Sequence, residues 1–525
     1  MLRRAPLHYP DRPLTHFLRD AADRHPEWVA LDHGAHTLTF RELDGLSNSF
    51  ARACTGFGLE AGRRAAVVMH NRLEWLPASY GFLDTGASVA LPNPSWTEHE
   101  MAYALSLTRP RLVVADAAAA VTVERSGYRP EVRICVDADA PEGWLSFWDL
   151  VHNHPGTRLP ELAGDLATLE SFLVFSSGTT GMPKAVRHSH RSLTAASIAW
   201  KASCVLTEKD RLQFFLPLGS VYGISTSTAA IAAGARTTLF PRFDLHTVLR
   251  HIERERVTVG FGAAPVAVAM AGEPDLEKYD LSSLRYFVWA ATAGLTEVAD
   301  QITARSGVRF LHAYGCSESP DMFCNVVARP ETWRMDSPGI AAPDLSLRIV
   351  RSGTEEDVQP GEEGEITVNA PYRMLGYLPE EANEGIFLSD GHYRTGDVGR
   401  LEDGGWLRIT GRTKEMIKVS GFAVAPVEIE NILYQVSGVA DCAVYRVPDP
   451  RTGEAPWAAV VRTPGSEIGE QELLDAVARS LARYKHLKGV RFVDAIPRNP
   501  AGKVLRRLLE DAAADGTPEQ ETSNA

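Results

Sequence analysis

The sequence predicts an α/β protein of layered, mainly parallel sheets, followed by a small antiparallel β region and a third, mixed region. Three observations carry this. Between about residue 25 and residue 350, short β-type runs alternate with helical patterns. From Leu345 to Thr410 the pattern changes to strands with tight turns. Beyond Gly411 a strand, a turn and a proline-started helix follow one another. The 525-residue length is too great for one core and implies two to four domains or subdomains.

Taken in order, Arg64–Met69 after Gly62 and Leu112–Ala115 before Asp116 are strands of the first region, and Val257–Phe261, Leu284–Trp289 and Val308–Leu311 continue it. The uncharged stretch Leu212–Ala235 is the best membrane-spanning candidate. It contains Pro217, three glycines and five Ser/Thr, so a loop followed by a buried helix is the better reading. Leu345–Val350, Gly364–Val368 and a hairpin at Asp403-Gly404-Gly405 predict a small antiparallel β-barrel or sheet. Lys414–Val419 reads as a strand, Ser420-Gly421 as a turn, and Pro426–Gln435 as a helix with proline in its first turn. Residues 511–525 are polar and acidic, with Gly and Pro, and are expected to fray.

A net charge of −13 argues against nucleic acid as a partner, because affinity there rests on basic surface. Six cysteines lie far apart without a C-x-x-C pair, and the N-terminus lacks the apolar core of a signal peptide. A cytoplasmic protein without a membrane anchor is the expectation.

The most informative segment is Phe175–Lys184, which reads Phe-Ser-Ser-Gly-Thr-Thr-Gly-Met-Pro-Lys. An apolar, β-prone run feeds a loop in which Gly178 and Gly181 let backbone N–H groups converge. Ser176, Ser177, Thr179 and Thr180 add hydroxyls and Lys184 a positive charge, a nest suited to a polyphosphate. It is not a Walker loop, since no Gly-Lys-Ser/Thr follows. Further along stand Tyr314-Gly315-Cys316-Ser317-Glu318 in the loop after the Val308–Leu311 strand, where α/β sheets bind ligands. Thr395-Gly396-Asp397 offers a carboxylate to two ribose hydroxyls, Gly411-Arg412-Thr413-Lys414-Glu415 joins the two large regions, and Lys503 follows a glycine near the C-terminus. Singly, each has a plain structural reading: Tyr314 as core, Asp397 as a turn cap, Arg412 and Lys414 as a solvated linker, Lys503 as a surface charge.

Together, in this order, these motifs resemble the adenylate-forming superfamily of acyl-CoA synthetases, luciferases and nonribosomal peptide adenylation domains, closest to acyl- or aryl-CoA ligases. The resemblance runs from Thr39-Phe40-Arg41-Glu42-Leu43 to Arg507 and includes Asn93-Pro94, Tyr279–Arg285, Gly364-Glu365-Ile366 and Gly376-Tyr377. It implies an N-terminal domain over 1–411, built from two α/β layered subdomains and the small β-barrel. A small α+β C-terminal domain over 412–510 would rotate on a hinge. It also implies ATP, Mg2+ and coenzyme A as cofactors, and two half-reactions: acyl-adenylate formation with release of pyrophosphate, then thioester formation.

By resemblance, Ser176–Lys184 holds the β- and γ-phosphates and Glu318 ligates Mg2+, a hard cation that prefers oxygen. Tyr314 stacks on adenine beside Gly315, Ser317 and Ala291, and Asp397 with Arg412 binds the ribose. Lys503 bridges the attacking carboxylate and the α-phosphate, and Lys184 and Glu318 complete the catalytic set. Lys414 matches the hinge, while Lys418 and Gly421 face the site only after rotation and serve the thiol step.

The acid pocket implied by the resemblance is lined by Ser220, Tyr222, Val288, Ala290 and Ala313. Ser220 stands where the family has histidine, which argues against luciferase chemistry, and it lacks the charge that amino-acid-activating relatives use. Ala290 and Ala313 stand at usual glycine positions, and two added methyls narrow a close-packed site. A small or aromatic acid, flat or short, is the expected substrate. His188 and His190 have metal-like spacing but no third ligand nearby, so a packed pair is expected. A stand-alone adenylation enzyme loading a carrier protein in trans is the second reading, and Arg483, Lys485 and Lys488 read as a basic patch for coenzyme A's phosphates or an acidic carrier protein, or as a solvated helix end. A catalytically inactive nucleotide-binding scaffold is the third, and Lys184, Glu318, Asp397, Arg412 and Lys503 together argue against it. The expected assembly is a monomer or homodimer.

Overall fold

The structure, a computed structural model, describes residues 4–176, 183–290, 294–413, 415–419, 422–498 and 503–514. Among these residues the strands assemble into four sheets. The eight-stranded sheet runs, in spatial order, Gly376–Leu378, Lys184–Ser189, Glu170–Ser176, Ser88–Leu91, Arg64–Val68, Leu112–Ala115, Val132–Cys135 and Leu145–Ser146. From Glu170–Ser176 onward its strands are parallel. Their continuous apolar runs, such as the fully buried Leu-Val-Val-Ala of Leu112–Ala115, suit a sheet covered on both faces.

The nine-stranded sheet has a parallel interior of Phe310–Cys316, Tyr286–Trp289, Val259–Gly262, Arg211–Phe214, Arg236–Leu239 and Val29–His33. Antiparallel strands close both its edges. Between the two sheets lies a shared core that joins Val67, Val89 and Phe172 of one to Val259, Val288 and Leu311 of the other. Buried helices fill it. Trp75–Asp84 is buried on every side, and Val221–Ala233 at every residue except Tyr222. A helix apolar all round belongs in a core, so the uncharged Leu212–Ala235 stretch is a loop and a buried helix, preceded by the end of the Arg211–Phe214 strand. No described helix is long and apolar enough to cross a membrane.

Ser346–Val350, Gly364–Asn369, Tyr393–Leu401 and Leu407–Arg412 form a four-stranded antiparallel sheet, turned at Asp403–Gly405. The last sheet has five strands and packs against the helices Pro426–Leu433 and Glu470–Ser480 around its own core of Ile417, Val424, Ile429, Val444 and Val460. Proline opens the first of those helices, as expected. The strand expected over Lys414–Val419 is confined to Ile417–Val419. The fraying expected from Asp511 onward does not begin there, because the helix Arg506–Ala514 carries the chain past that residue. Its exposed polar residues hide an apolar stripe, in which Leu509 packs on Ala443, Tyr445 and Ala459.

Candidate active site

The strands flanking the hydroxyl–glycine loop pair antiparallel with Ser176 opposite Lys184, so both ends of the loop meet at one place. Ser177, Gly178, Thr179, Thr180 and Gly181 lie outside the described residues, as do Ala291, Lys414 and Gly421. Lys184 opens the Lys184–Ser189 strand, and its Nζ stands 5.1 Å from the centre of the Tyr377 ring. Tyr377 Oη donates to Glu318 Oε1 at 2.6 Å and lies 3.0 Å from Tyr393 Oη. A cation, two phenols and a carboxylate therefore form one connected group. Burial, reinforced by the Glu318 charge, pushes the Tyr377 hydroxyl far above its ordinary value, so it stays a donor.

Tyr314 does not sit in a loop beyond its strand. The strand runs on through Phe310–Cys316, and Ser317-Glu318 is the turn of a hairpin that returns as Ser319–Cys324. Antiparallel pairing with that return strand extends the first one past the apolar run that announced it. Gly315 is required here, since a Cβ would collide with the Pro320 carbonyl across the hairpin. The turn is pinned from outside by Met374 N–H, which donates to the Glu318 carbonyl at 2.8 Å. His188 Nε2 lies 2.8 Å from the Ser317 carbonyl.

Tyr314 Oη donates to Asp397 Oδ2 at 2.5 Å, and Arg412 Nε stands 2.6 Å from Asp397 Oδ1. Asp397 and Arg412 face each other in register on adjacent strands. Gly396, at φ 72°, supplies the left-handed turn of the backbone before Asp397, whose N–H is held by Thr395 Oγ1 at 3.0 Å. The Asp397 charge holds Arg412 above the ordinary guanidinium value. A carboxylate has about four acceptor sites, so the Asp397 oxygens keep capacity for two further hydroxyls.

Lys503 Nζ lies 3.7 Å from Glu415 Oε1, and Arg506 Nη1 donates to Glu415 Oε2 at 2.8 Å. Burial pushes the Lys503 ammonium below the ordinary lysine value. The Arg412 charge acts the same way, while Glu415 and Asp397 act against it. Lys503 thus shares an electrostatic environment with the Asp397–Arg412 pair, although about ninety residues separate them. Lys418 is exposed on the Ile417–Val419 strand and, among the described residues, makes no contact with this group.

Tyr222, Val288, Ala290 and Ala313 belong to one apolar cluster. Ala290 and Ala313 follow Trp289 and His312, which are paired on adjacent strands, and both are buried. The Tyr222 ring packs on Trp200 and Phe261, with centroids at 5.4 and 6.0 Å. Ser220 is engaged locally. Its Oγ accepts from Gly223 N–H at 2.9 Å and donates to the Pro217 carbonyl at 2.8 Å, capping the Val221–Ala233 helix. His188 and His190 are packed, as expected, and burial lowers both to about 4, so both rings are neutral. No group of three or more potential metal ligands occurs among the described residues. Lys485 is not a free cation of a basic patch, because its Nζ grips both Glu428 oxygens at 2.7 Å.

Sequence reasoning assigned no role to Tyr377, Tyr393, Glu415 or Arg506. Gly376-Tyr377 and Gly502–Arg507 are visible motifs, but a phenol that reaches a carboxylate 59 positions away leaves no local signal.

The profile of the AMP-binding enzyme family matches residues 18–378, and that of the AMP-binding enzyme C-terminal domain matches residues 428–503. The chain belongs to the AMP-binding enzyme family. In this AMP-binding enzyme Tyr314, Glu318 and Tyr377 fall in the first matched segment, and Lys503 closes the second. The chain is 33% identical to 4-coumarate-CoA ligase 5 of Oryza sativa subsp. japonica over 509 residues, 95% of this chain and 94% of that protein. The ATP-bound MatB of Rhodopseudomonas palustris superposes with a TM-score of 0.87 at 26% identity, covering 96% of this chain and 99% of that one. The anthranilate CoA ligase AuaEII in complex with anthranoyl-AMP gives a TM-score of 0.87 at 26% identity, covering 97% and 98%. These matches place the AMP-binding enzyme within the adenylate-forming superfamily that its motifs resemble.

Proposed function

We propose that this enzyme activates a small carboxylic acid with ATP, releasing pyrophosphate, and transfers the acyl group from the adenylate to the thiol of coenzyme A. The observation that carries the reading is the convergence of Lys503 with the Tyr314–Asp397–Arg412 group. Adenylyl transfer is mostly a matter of positioning and charge neutralisation. Asp397 would accept the ribose hydroxyls while Arg412 and Tyr314 fix its carboxylate, and the Tyr314 ring would offer a stacking face to the base. Lys503 neutralises charge where the substrate carboxylate attacks the α-phosphate. Lys184 does the same at the outgoing phosphates, with Ser176–Gly181 as their cradle. Glu318, an oxygen donor linked to Lys184 through Tyr377, fits a hard cation that keeps waters and substrate oxygens for its remaining ligands; Mg2+ held there with ATP would supply charge neutralisation. The thiol then attacks the acyl carbonyl and AMP leaves, with Lys418 and Gly421 serving this step after rotation at Lys414.

The acid is small and flat. Ala290 and Ala313 narrow the pocket between Val288 and Tyr222, and Ser220 spends its hydroxyl on a helix cap and offers no charge to an ammonium group. That AuaEII was solved with anthranoyl-AMP and that the rice relative is named for 4-coumarate supports a planar aromatic acid.

Pyrophosphate release is the test, measured with a panel of aromatic and short aliphatic acids, with and without coenzyme A. The expected result is acid-dependent release with one coenzyme A consumed per pyrophosphate. Absence of acid-dependent release throughout the panel refutes the reading. Release without consumption of coenzyme A points to a carrier-protein thiol as the acceptor.

A further inference from the structure

On the edge of the eight-stranded sheet opposite the Ser176–Lys184 loop lies a cavity of about 400 Å3. It opens at the N-terminal ends of the parallel strands Arg64–Val68, Leu112–Ala115 and Val132–Cys135, whereas the loop leaves the C-terminal end of Glu170–Ser176. Its lining contains Arg63, Arg64, Arg109, Arg111 and Arg129, and Glu131 is the one acid among its lining residues. Five guanidinium groups around one cavity are unexpected in a chain whose net charge is −13.

These arginines are not all committed to protein partners. Arg64 is, through Glu170 at 2.8 Å and the Thr108 carbonyl. Arg111 is held by Glu131 at 2.8 Å and by the Gly58 carbonyl at 3.3 Å, while its Nε is buried without an acceptor among the described residues. Arg129 bonds only backbone carbonyls at short range, with Glu124 at 3.8 Å. Arg63 and Arg109 are exposed, and neither side chain has an acceptor among the described residues. The backbone that presents them is stiff: Pro110 follows Arg109 and Pro130 follows Arg129. Arg109 is also fixed as a left-handed helix cap at φ 49°, its N–H bonded to the Leu105 carbonyl at 2.7 Å.

Guanidinium forks match phosphate and carboxylate oxygens in pairs, and a bound anion would relieve the repulsion among them. We infer that this cavity binds a compact polyanion carrying two or more phosphate or carboxylate groups, at a second site separate from the catalytic one. Such a ligand does not compete with ATP or the acid, because the sheet stands between them.

The test is calorimetric titration of the full chain with inorganic tripolyphosphate and, separately, with citrate. The double variant Arg63→Ser/Arg109→Asn removes the two uncommitted cations, and Asn tolerates the left-handed backbone. At least one anion should bind wild type, with at least tenfold weaker binding to the double variant and unchanged acid-dependent pyrophosphate release. Glu131→Gln removes the one acid among the lining residues and should tighten binding severalfold, a gain that misfolding does not imitate. Tripolyphosphate without citrate binding assigns a phosphate ligand, and the reverse a carboxylate one. No heat with either anion overturns the inference. So does binding that survives in the double variant, or that is lost instead in Lys184→Ala, which would place it at the catalytic loop.

Discussion

The imidazole of His188 donates from Nε2 to the carbonyl of Ser317 at 2.8 Å. A carbonyl oxygen only accepts, so this bond fixes the tautomer, and Nδ1 is the unprotonated nitrogen, 3.2 Å from Ser192 Oγ. His188 lies on the same strand as Lys184, and Ser317 precedes Glu318 in the hairpin turn. One buried bond therefore ties the strand that follows the hydroxyl–glycine loop to the turn that carries Glu318.

His188→Ala leaves the Ser317 carbonyl without its donor, at a cost of about 1–3 kcal/mol. The expected outcome is a lower melting temperature together with a rise in the Mg2+ concentration needed for half-maximal pyrophosphate release. His188→Gln keeps an N–H donor and should recover part of the Mg2+ response. A loss of stability in His188→Ala with an unchanged Mg2+ titration would show that the bond only packs the fold.

Tyr377 serves two neighbours by different parts of its side chain. The ring faces Lys184 Nζ at 5.1 Å, and the hydroxyl donates to Glu318 at 2.6 Å. Tyr377→Phe keeps the first and removes the second. A hydrogen bond to a charged group is worth about 1.5–3 kcal/mol, so adenylation should fall roughly tenfold to a hundredfold. Tyr377→Ala removes both contacts and should fall further, with a higher KM for ATP. Equal kinetics in the two variants would mean that the Lys184 contact carries nothing.

How far the sequence discloses such relationships depends on distance along the chain. Leu112–Ala115 is legible as a strand because four apolar residues end at a helix-capping Asp116. The Val308–Leu311 reading stops short because Gly315 and Cys316 are strand residues only by virtue of their pairing with Ser319–Cys324. Ser220 draws attention as a departure at the acid pocket, yet a serine placed before a buried helix is also a plain capping signal, and its hydroxyl is used that way. Asp397 and Arg412 are joined in the sequence only through the family resemblance, because a register shift between Val398 and Gly399 is what brings them opposite each other. Glu415 with Lys503, Tyr377 with Glu318 and Lys485 with Glu428 are tertiary pairs, and no periodicity encodes them.

Asp321 gives a pH test of the core behind Tyr222. It is fully buried, Ser203 Oγ donates to its Oδ2 at 2.9 Å, and burial raises its carboxyl to about 6. A carboxyl raised above its unfolded value of 3.8 favours the folded state at low pH, and that stability is lost as pH climbs through 6. Asp321→Asn removes the ionisation. The variant should gain about 2 kcal/mol relative to wild type between pH 4 and pH 8, read as the difference in urea midpoints. His188 and His190, lowered to about 4, push the other way: they destabilise the fold as pH falls from 6.5 to 4. Variant and wild type both contain them, so they cancel in the comparison. A difference between Asp321→Asn and wild type that stays constant across this range would show that Asp321 titrates in the fold as it does in the unfolded chain.

Lys503 should carry the alkaline limb of the adenylation rate. Burial sets its ammonium below the ordinary lysine value of 10.5, and the Arg412 charge lowers it further against the pull of Glu415 and Asp397. In the proposed reaction the charged form neutralises the reacting carboxylate and phosphate, so kcat/KM for pyrophosphate release should fall as pH rises through that lowered value. Glu415→Gln deletes a carboxylate 3.7 Å from Nζ and should move the limb to lower pH. Removing a contact of this kind at the reacting centre costs about 3–4 kcal/mol, so Lys503→Ala should lower adenylate formation by a few hundred-fold. Thioester formation from supplied acyl-adenylate should survive in Lys503→Ala, because Lys503 then has no reacting group to neutralise. If both half-reactions fall together, Lys503 holds the two regions in place through Glu415 and does not act on the substrate. If the limb stays fixed in Glu415→Gln, some other group titrates there.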